Sequence, residues 1–404
     1  MGRHFTKSLA ALTLITFAVG CSSSSDEEAS VAAPKKLYIA TGICYSGEGF
    51  TPPTIGTVGK TLSRLNLSSL NYEMVHDYGD LSLETSGSYP AGIVDAGDGT
   101  LFTAVENATA TGSRRIDRIT KDYYGAFEEF YKNSTVLTTA LKGIALGTDG
   151  GVLIGRTTLV DRLDSTPTRK TVSATVAWGE GFAGACATNN TSITSITSLP
   201  LFTDASYGKF IYTHDAAGQK DIGIIGMNGA GAAADCLANA PGGATLTNAA
   251  TANNGFSAQL SATATPTAVA YAAPATGSTI GKLFVAYSSS DPNVTTAAGL
   301  SNALVVYDVE ETSATAASIT NGTVLYHDHQ YFFGVSALAY DATTSTLYAA
   351  SSNSFAVAPS GYNIEQFTID LTTPGATRVT RSNGESFQSA NSFNNCVTSM
   401  IVAD

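Results

Sequence analysis

Short apolar runs separated by turn residues recur along the chain, and the clearest example spans residues 89–120. Residues 91–94 and 101–105 are apolar, and an Asp- and Gly-rich turn, residues 95–99, separates them. After a polar loop, residues 115–119 alternate between polar and apolar side chains. Short runs joined by Asp-Gly turns are typical of antiparallel hairpins. The stretch therefore predicts three consecutive strands, and residues 126–131 predict a fourth.

Units of this kind succeed one another along most of the chain. We count about five complete units, preceded by three strands at residues 36–42, 61–67 and 72–77. The predicted innermost strands consist mainly of small and apolar residues (GIV, GIAL, AVAY, ALAY). Such residues fit strands that pack closely around a central axis. Four strands per unit, repeated about every 45 to 65 residues, indicate a β-propeller. A β-sandwich or a solenoid of similar hairpins is the alternative.

The end of the chain resembles the innermost strands of the other units. Residues 396–404, CVTSMIVAD, would pair with residues 36–42 and cover an otherwise exposed strand edge. We therefore predict an all-β fold, a β-propeller of about six four-stranded blades over residues 36–404. Its ring would be closed by the C-terminal strand pairing with the N-terminal strands. A seventh blade fits if residues 230–265 hold strands. Residues 122–132 are compatible with a helix, although their aromatic side chains favour a strand.

Charge and composition narrow the choice of partner. Of the 404 residues only 13% are charged, the formal net charge is −12, and Lys and Arg form no cluster. An acidic chain without a basic patch argues against nucleic acid as a partner. The chain contains no GxSxG, HExxH, Walker or GxGxxG motif in a usable context, so no cofactor is predicted.

The first 35 residues have a different character. Basic residues near the N-terminus precede an apolar run at residues 9–19, which is too short to span a membrane. The run ends in Ala-Val-Gly-Cys at residues 18–21, and a Ser-rich, acidic stretch comes after it. These features indicate a targeting segment.

The end of the apolar run resembles the lipobox of bacterial lipoproteins, although Ala18 stands where Leu is usual. The resemblance implies that residues 1–20 are a signal peptide and that Cys21 carries the lipid, including acyl chains such as palmitate. Residues 21–35 would then be a flexible tether. Because Ser22 follows the Cys, the resemblance implies a lipid anchor at the bacterial outer membrane, facing the periplasm or the cell surface. An ordinary secretory signal with a coincidental Cys is the alternative. The units and the lipobox together resemble propeller lipoproteins at the level of the fold.

Four further cysteines are expected to form disulfides, because an even number in an exported protein favours pairing. They are Cys44, Cys186, Cys236 and Cys396. Three pairings are possible, and the propeller selects Cys44–Cys396 beside the closing strands. Cys186–Cys236 is then the remaining pair. A zinc site is the rival interpretation, but the chain has no CxxC and no suitably spaced His.

Long loops are predicted on one face of the propeller, and we expect recognition at that long-loop face because a rigid scaffold carries it. These loops are residues 43–60, 106–113, 179–194, 239–265, 288–302, 351–362 and 382–395. Candidate binding residues are Glu106, Asn107, Trp178, His214, Asp215, His327, His329 and Tyr331.

Each candidate has a plainer alternative. His327 and His329 would point to one face of a strand and suit a metal, but no third ligand can be named. His214 with Asp215 could act as an acid–base pair, although no nucleophile is assigned. The single Trp, Trp178, fits packing between blades.

The sequence leaves three functional expectations open. The favoured one is a non-catalytic binding or scaffold module whose long-loop face meets a protein or glycan. The second is a metal-dependent hydrolase or lyase with its site in the axial opening, where Glu106 and Asn107 could face. It rests on a fold-level resemblance to gluconolactonase-like hydrolases, whose motifs this chain does not match. The third is a structural component of the cell envelope. Fold alone does not choose among them.

Overall fold

The structure is a computed structural model, and its description covers part of the chain. The described residues are 35–42, 60–132, 134, 137–147, 151–156, 160–163, 193–199, 201, 207–214, 222–228, 234–240, 247–248, 260, 264–288, 300, 302–313, 315–328, 331–352, 362–380 and 396–404. All of them lie within one compact unit, Pro34–Asp404.

Strands account for nearly all regular structure in the described residues, with one 3-10 turn at Thr111–Ser113. The first twelve strands are β1 (Lys36–Gly42), β2 (Thr61–Asn66), β3 (Tyr72–Asp77), β4 (Ser88–Asp95), β5 (Thr100–Asn107), β6 (Arg115–Thr120), β7 (Phe127–Lys132), β8 (Leu141–Leu146), β9 (Val152–Arg156), β10 (Val160–Leu163), β11 (Ile193–Ser198) and β12 (Tyr207–His214). The next twelve are β13 (Ile222–Asn228), β14 (Ala234–Ala240), β15 (Thr247–Asn248), β16 (Thr265–Ala272), β17 (Ile280–Ser288), β18 (Ala303–Ser313), β19 (Ala316–His327), β20 (Ala337–Asp341), β21 (Thr346–Ser352), β22 (Tyr362–Asp370), β23 (Gly375–Val379) and β24 (Cys396–Ala403).

These strands form six sheets in the described part of the chain. Their strand orders are β24-β1-β2-β3, β4-β5-β6-β7, β8-β9-β10, β11-β12-β13-β14, β16-β17-β18-β19-β15 and β20-β21-β22-β23. The innermost strands β4, β8, β11, β16, β20 and β24 line one central cavity. Sheets packed side by side around a common axis are the defining feature of a propeller, so the predicted all-β propeller is confirmed.

The prediction of about six four-stranded blades needs correction. Five sheets have the four or more strands of a full blade, whereas the sheet β8–β10 has three. Residues 171–178 (TVSATVAW), where alternating apolar positions predict a fourth strand for this sheet, lie outside the described residues. The β16–β19 sheet gains a fifth strand because β15 pairs with β19 in parallel. Strands β14 and β15 lie within residues 230–265, the segment considered for a seventh blade. They belong to the β11–β14 and β16–β19 sheets and form no sheet of their own.

Both ends of the domain contribute to one sheet. Strand β24 pairs with β1 in antiparallel register, with Lys36 opposite Ala403 and Gly42 opposite Cys396. Strand β1 is buried along nearly its whole length. This pairing satisfies the backbone groups on both edges of β1, because β2 occupies its other side.

Apolar side chains on both faces explain why the middle strands are buried. In β17, Leu283 and Val285 pack with Ile211 of one neighbouring sheet, while Phe284 packs with Leu338 of the other. Side chains of a strand alternate between its faces, so a strand held between two sheets needs apolar residues at successive positions.

The innermost strands need small residues because their backbones approach one another closely. A Cβ atom placed on Gly92 of β4 would lie 3.0 Å from the Gly143 Cα of β8, closer than such contacts normally are. Residues 122–132, considered for a helix, contain the strand β7 instead. No helix within the described ranges is long and apolar enough to cross a membrane.

Candidate functional site

Each of the six innermost strands carries a similar five-residue phrase at or near its start. The phrases are PAGIV (90–94), LKGIA (141–145), ITSIT (193–197), PTAVA (266–270), VSALA (335–339) and VTSMI (397–401). In five of them the register with the next strand skips the second residue, which is a β-bulge; the skipped residues are Ala91, Lys142, Thr194, Thr267 and Thr398. A bulge redirects the side chain that it contains. The sixth equivalent residue, Ser336, lies just before β20.

Where the second residue carries a hydroxyl, it ties its own sheet to the next one. We call these four interactions the hydroxyl bridges. They are Thr194 Oγ1 to Pro266 O (2.7 Å), Thr267 Oγ1 to Val335 O (2.5 Å), Ser336 Oγ to Val397 O (2.6 Å) and Thr398 Oγ1 to Pro90 O (2.6 Å). In each case the acceptor is the first residue of the next phrase, so the bridges link five sheets in succession at the long-loop end of the axis.

The junction between the β4–β7 sheet and β8 uses an ion pair instead. Ala91 has no hydroxyl, and here the Glu106 side chain connects the β4–β7 sheet to β8. The Glu106 carboxylate accepts a hydrogen bond from the backbone N–H of Leu141 (2.7 Å) and one from Arg114 Nε (2.5 Å). Arg114 in turn donates through Nη1 to the carbonyl of Thr138 (2.7 Å). Both charged side chains are buried, so the pair fixes this seam as well.

Lys142 is the exceptional member of the set of equivalent residues. It lines the axial cavity where four other phrases carry a hydroxyl. Burial lowers the pKa of the Lys142 amine to about 8, while the Glu106 carboxylate opposes this shift and Arg114 adds to it.

The axial cavity has a volume of about 240 Å³ and is walled by the six innermost strands. Its lining side chains are mostly small or carry hydroxyls. Pockets for drug-sized ligands usually have roughly 300 to 1,000 Å³, so this cavity suits water or a small ion better than a sugar chain. The described residues contain no group of three or more His, Cys, Asp and Glu placed to hold a metal.

Asn107, predicted as a binding residue, shapes the loop after β5. Its side-chain Nδ2 donates to the carbonyl of Ser86 (3.1 Å), and its Oδ1 accepts from the backbone N–H groups of Thr109 (2.9 Å) and Ala110 (2.6 Å). Both Asn107 and its neighbour Glu106 lie at the long-loop end, where their contacts support the loop and the seam.

Tyr331, in the segment between β19 and β20, packs against Arg378 of β23. The guanidinium carbon of Arg378 is 3.6 Å from the Tyr331 ring centroid, and Arg378 Nε donates to the buried Glu365 carboxylate (2.7 Å). His327 ends β19 and is half-buried. His329, the predicted second imidazole, lies outside the described residues.

Of the remaining predicted site residues, the structure describes the backbone of some and the side chain of Cys396. Cys396 is buried and disulfide-bonded. His214 ends β12 and Cys236 lies in β14, but their side chains fall outside the described part of the chain. Cys21, Cys44, Trp178, Cys186 and Asp215 also lie outside it.

A second buried charged cluster was not anticipated. The His76 Nε2 and Glu84 Oε1 atoms are 2.7 Å apart, and Arg115 joins Glu84 (2.5 Å) to Asp117 (2.8 Å). Burial raises the pKa of Asp117 to about 6, against the opposing Arg115 guanidinium. The cluster lies among β3, the loop after it and β6, whose charged side chains gave no distinct signal in the sequence.

Comparisons with known proteins extend no further than the fold. No family model and no curated protein matches the sequence. A Bacteroides caccae protein of unknown function has a TM-score of 0.48 and 10% identity, over 92% of this chain and 99% of that chain. TolB from Acinetobacter baumannii has a TM-score of 0.42 and 9% identity, over 83% of this chain and 61% of that chain. The Malassezia sympodialis allergen Mala s 1 has a TM-score of 0.44 and 12% identity, over 79% and 91%. These similarities to solved structures are too low to indicate an activity for this chain.

Proposed function

We propose that residues 36–404 form a non-catalytic binding module whose long-loop face meets a protein or glycan partner. The hydroxyl bridges are the observation that carries this proposal. Together with the Glu106–Arg114 pair, they fix the end of the propeller from which the long loops leave. Loops on a rigid scaffold are the usual place for recognition, because the scaffold pre-organises them.

The small axial cavity supports a partner that contacts the loops. A volume of about 240 Å³ leaves little room for a sugar chain or peptide inside the axis. Glu106, the carboxylate on which a hydrolase alternative would draw, is already held by Arg114 Nε and the Leu141 N–H. A binding surface on the loops is therefore favoured over chemistry at the axis.

We extend the proposal to the architecture and the location. The β8–β10 sheet would be a sixth blade with residues 171–178 as its fourth strand, and β24 would close the ring beside β1. Lipid on Cys21 would hold the module at a bacterial outer membrane, with residues 21–35 as the tether. Cell fractionation tests the anchor, since Cys21→Ser should release the protein from the membrane fraction.

Capture experiments test the binding face. The purified mature protein would be immobilised and probed with a cell-envelope extract and with a glycan array. Ala108→Arg with Thr111→Arg introduces two bulky charges into the exposed loop after β5, at the long-loop end. Thr372→Arg with Thr373→Arg introduces the same charges into the exposed β22–β23 turn at the opposite end, and serves as the matched control.

We expect the loop variant to weaken capture of the bound species by about tenfold or more, as for a charge placed in an interface, while the control retains it. Equal loss in both variants, or loss in the control alone, would contradict the proposed face. Turnover of a captured glycan by the wild-type protein would instead favour the hydrolase alternative.

A further inference from the structure

The axial cavity carries one charged group on the part of its wall that the structure describes. That group is the Lys142 amine, and no Arg, His, Asp or Glu lines the cavity within the described residues. The other lining residues are apolar, bear hydroxyls or are glycines, namely Gly92 and Gly143. Lys142 is half-buried. This wall therefore offers a ligand one positive charge and no negative charge.

The charged groups behind Lys142 also favour an anion. The Glu106 carboxylate acts on the Lys142 amine, but it is held by Arg114 Nε (2.5 Å) and by the Leu141 N–H (2.7 Å). Because the pKa of Lys142 is about 8, its amine is mostly protonated at pH 7. Lys142 and Arg114 then carry two positive charges against the one negative charge of Glu106. The net positive charge attracts an anion and repels a metal cation.

The fourth residue of a phrase directs its backbone N–H toward the preceding sheet. In β4, the N–H of Ile93 donates to the hydroxyl of Ser399 in β24 (3.3 Å), which is the third residue of the preceding phrase. Ile144 and Ile196 are the fourth residues of the next two phrases, and each is the second residue after the same β-bulge. Because N–H groups alternate between the two sides of an antiparallel strand, this shared register gives Ile144 and Ile196 the same N–H direction as Ile93.

The third residues that face Ile144 and Ile196 are glycines, which cannot supply a hydroxyl as Ser399 does. A Cβ atom on Gly92 would lie 3.1 Å from Ile144 N, and one on Gly143 would lie 3.6 Å from Ile196 N. Both glycines and both isoleucines line the cavity. A ligand in the axis can therefore take the place of the missing hydroxyl.

The donors and the volume define the class of ligand. Backbone N–H groups and ammonium groups both donate hydrogen bonds, and together they bind small anions. Lys142 directly precedes Gly143 and Ile144, so the amine and the N–H groups belong to the same region of the wall. A cavity of about 240 Å³ has room for a small anion with several water molecules, since each takes roughly 30 Å³ in the liquid. One net positive charge matches a monovalent ion.

We propose that the axial cavity binds a small monovalent anion, a halide or formate, through the Lys142 ammonium and the backbone N–H groups of Ile144 and Ile196. The proposal is separate from the binding face formed by the long loops, because it uses only residues of the innermost strands. The bound anion would offset part of the cost of burying the ammonium, and it would link β8 to β11.

Bromide tests the site, because it is a small halide that anomalous scattering can locate in a crystal. The purified mature protein would be titrated with sodium bromide. Sodium gluconate, whose anion is bulkier, would hold the ionic strength constant and so remove general screening from the comparison. We expect the melting temperature to rise with bromide in the saturable way that a ligand of the folded state causes.

Two variants assign the effect to Lys142. Lys142→Met removes the ammonium and should weaken bromide binding by about tenfold or more, because a charge-assisted hydrogen bond is lost. Lys132→Met removes a lysine from a half-exposed surface position and should bind bromide as the wild type does. Lys142→Met should also fold, because it replaces a buried charge with an apolar side chain of similar length.

Crystals soaked in bromide show where the ion lies. Anomalous density beside Lys142 and the N–H groups of Ile144 and Ile196, together with the Lys142-dependent shift in melting temperature, would support the site. Equal affinity in the wild type and Lys142→Met, or the absence of a saturable shift, would overturn it. Density in the crystal without any shift in solution would reveal an adventitious ion only, and would overturn the proposal as well.

Discussion

Thr398 and Pro90 are separated by 308 residues of sequence, yet the Thr398 hydroxyl donates a hydrogen bond of 2.6 Å to the Pro90 carbonyl. The bond joins β24 to the beginning of β4. Three equivalent bonds lie around the axis, each from the second residue of one phrase to the first residue of the next. Through the hydroxyl bridges, the Ser or Thr at the second position of four phrases connects its own sheet to the next one.

Removing the Thr398 hydroxyl should destabilise the domain. Thr398→Val keeps nearly the same shape but leaves the Pro90 carbonyl without this donor, which should lower the free energy of unfolding by about 1 to 3 kcal/mol. Thr398→Ser retains the hydroxyl and should lose less. Thr377→Val, at an exposed position of β23, is the matched control. Urea unfolding followed by circular dichroism measures the difference, and a Thr398→Val variant as stable as the control would contradict a structural role for the bridge.

Lys142 should destabilise the fold at neutral pH. Its pKa is lowered from 10.5 to about 8, so the unfolded chain binds more protons between those values and stability rises with pH through that window. Lys142→Met removes the buried charge and should be more stable than the wild type at pH 7, by about 1 to 3 kcal/mol.

The pH dependence separates this effect from simple packing. The gap between Lys142→Met and the wild type should shrink as the pH rises from about 8 to 10, measured by denaturant unfolding at each pH. Denaturant unfolding of Lys132→Met, at a half-exposed surface position, controls for the loss of a lysine. A gap that stays constant with pH would show that the Lys142 pKa is not lowered.

Asp117 should show the opposite trend at acidic pH. Burial raises its pKa from 3.8 to about 6, so the folded state binds more protons between these values. Its contribution to stability is complete below about pH 4 and is lost as the pH rises through 6. Relative to Asp117→Asn, the wild type should therefore lose up to about 3 kcal/mol between pH 4 and pH 6. Asp370→Asn, in an exposed turn, is the control, and parallel stability profiles for the wild type and Asp117→Asn would contradict the raised pKa.

Cys396 should be joined to Cys44. Cys396 is disulfide-bonded and lies opposite Gly42 in the β1–β24 register, which brings a cysteine two residues further along within plausible reach. In the chain-entropy model, closing a loop of about 350 residues should stabilise the domain by roughly 6 kcal/mol if the bond is unstrained. Peptide mapping without reductant should yield one linked peptide that contains both residues. Recovery of Cys396 linked to Cys186 or Cys236 would refute the pairing.

The sequence predicts strands well where apolar positions alternate between turn residues, as in residues 89–120. The structure has β4, β5 and β6 there and β7 at the predicted fourth strand, residues 126–131, all close to the predicted runs. The pairing of residues 396–403 with residues 36–42 was also predictable, because the last strand repeats the phrase of the other innermost strands. Local pattern and repetition carry this information without any knowledge of long-range contacts.

The candidate site was harder to predict. Glu106 and Asn107 were expected near the axial opening because they end a second strand, but the sequence did not reveal that Arg114 and the backbone of Leu141 occupy the Glu106 carboxylate. Lys142 was overlooked, although aligning the six phrases would have singled it out as the only charged residue at the second position. Its lowered pKa could not have been foreseen, since desolvation depends on what surrounds the amine.

The succession of strands along the chain and the small residues of the innermost strands come from the sequence by itself, because each depends on local pattern. Tertiary structure alone decided that four Ser and Thr hydroxyls bridge successive sheets, and that the loop after β3 packs against the β6–β7 turn. The physical reason is distance: a hydrogen bond or an apolar contact depends on atoms being within a few ångströms, and only the packed sheets bring residues 90 and 398, or 83 and 125, to the same place.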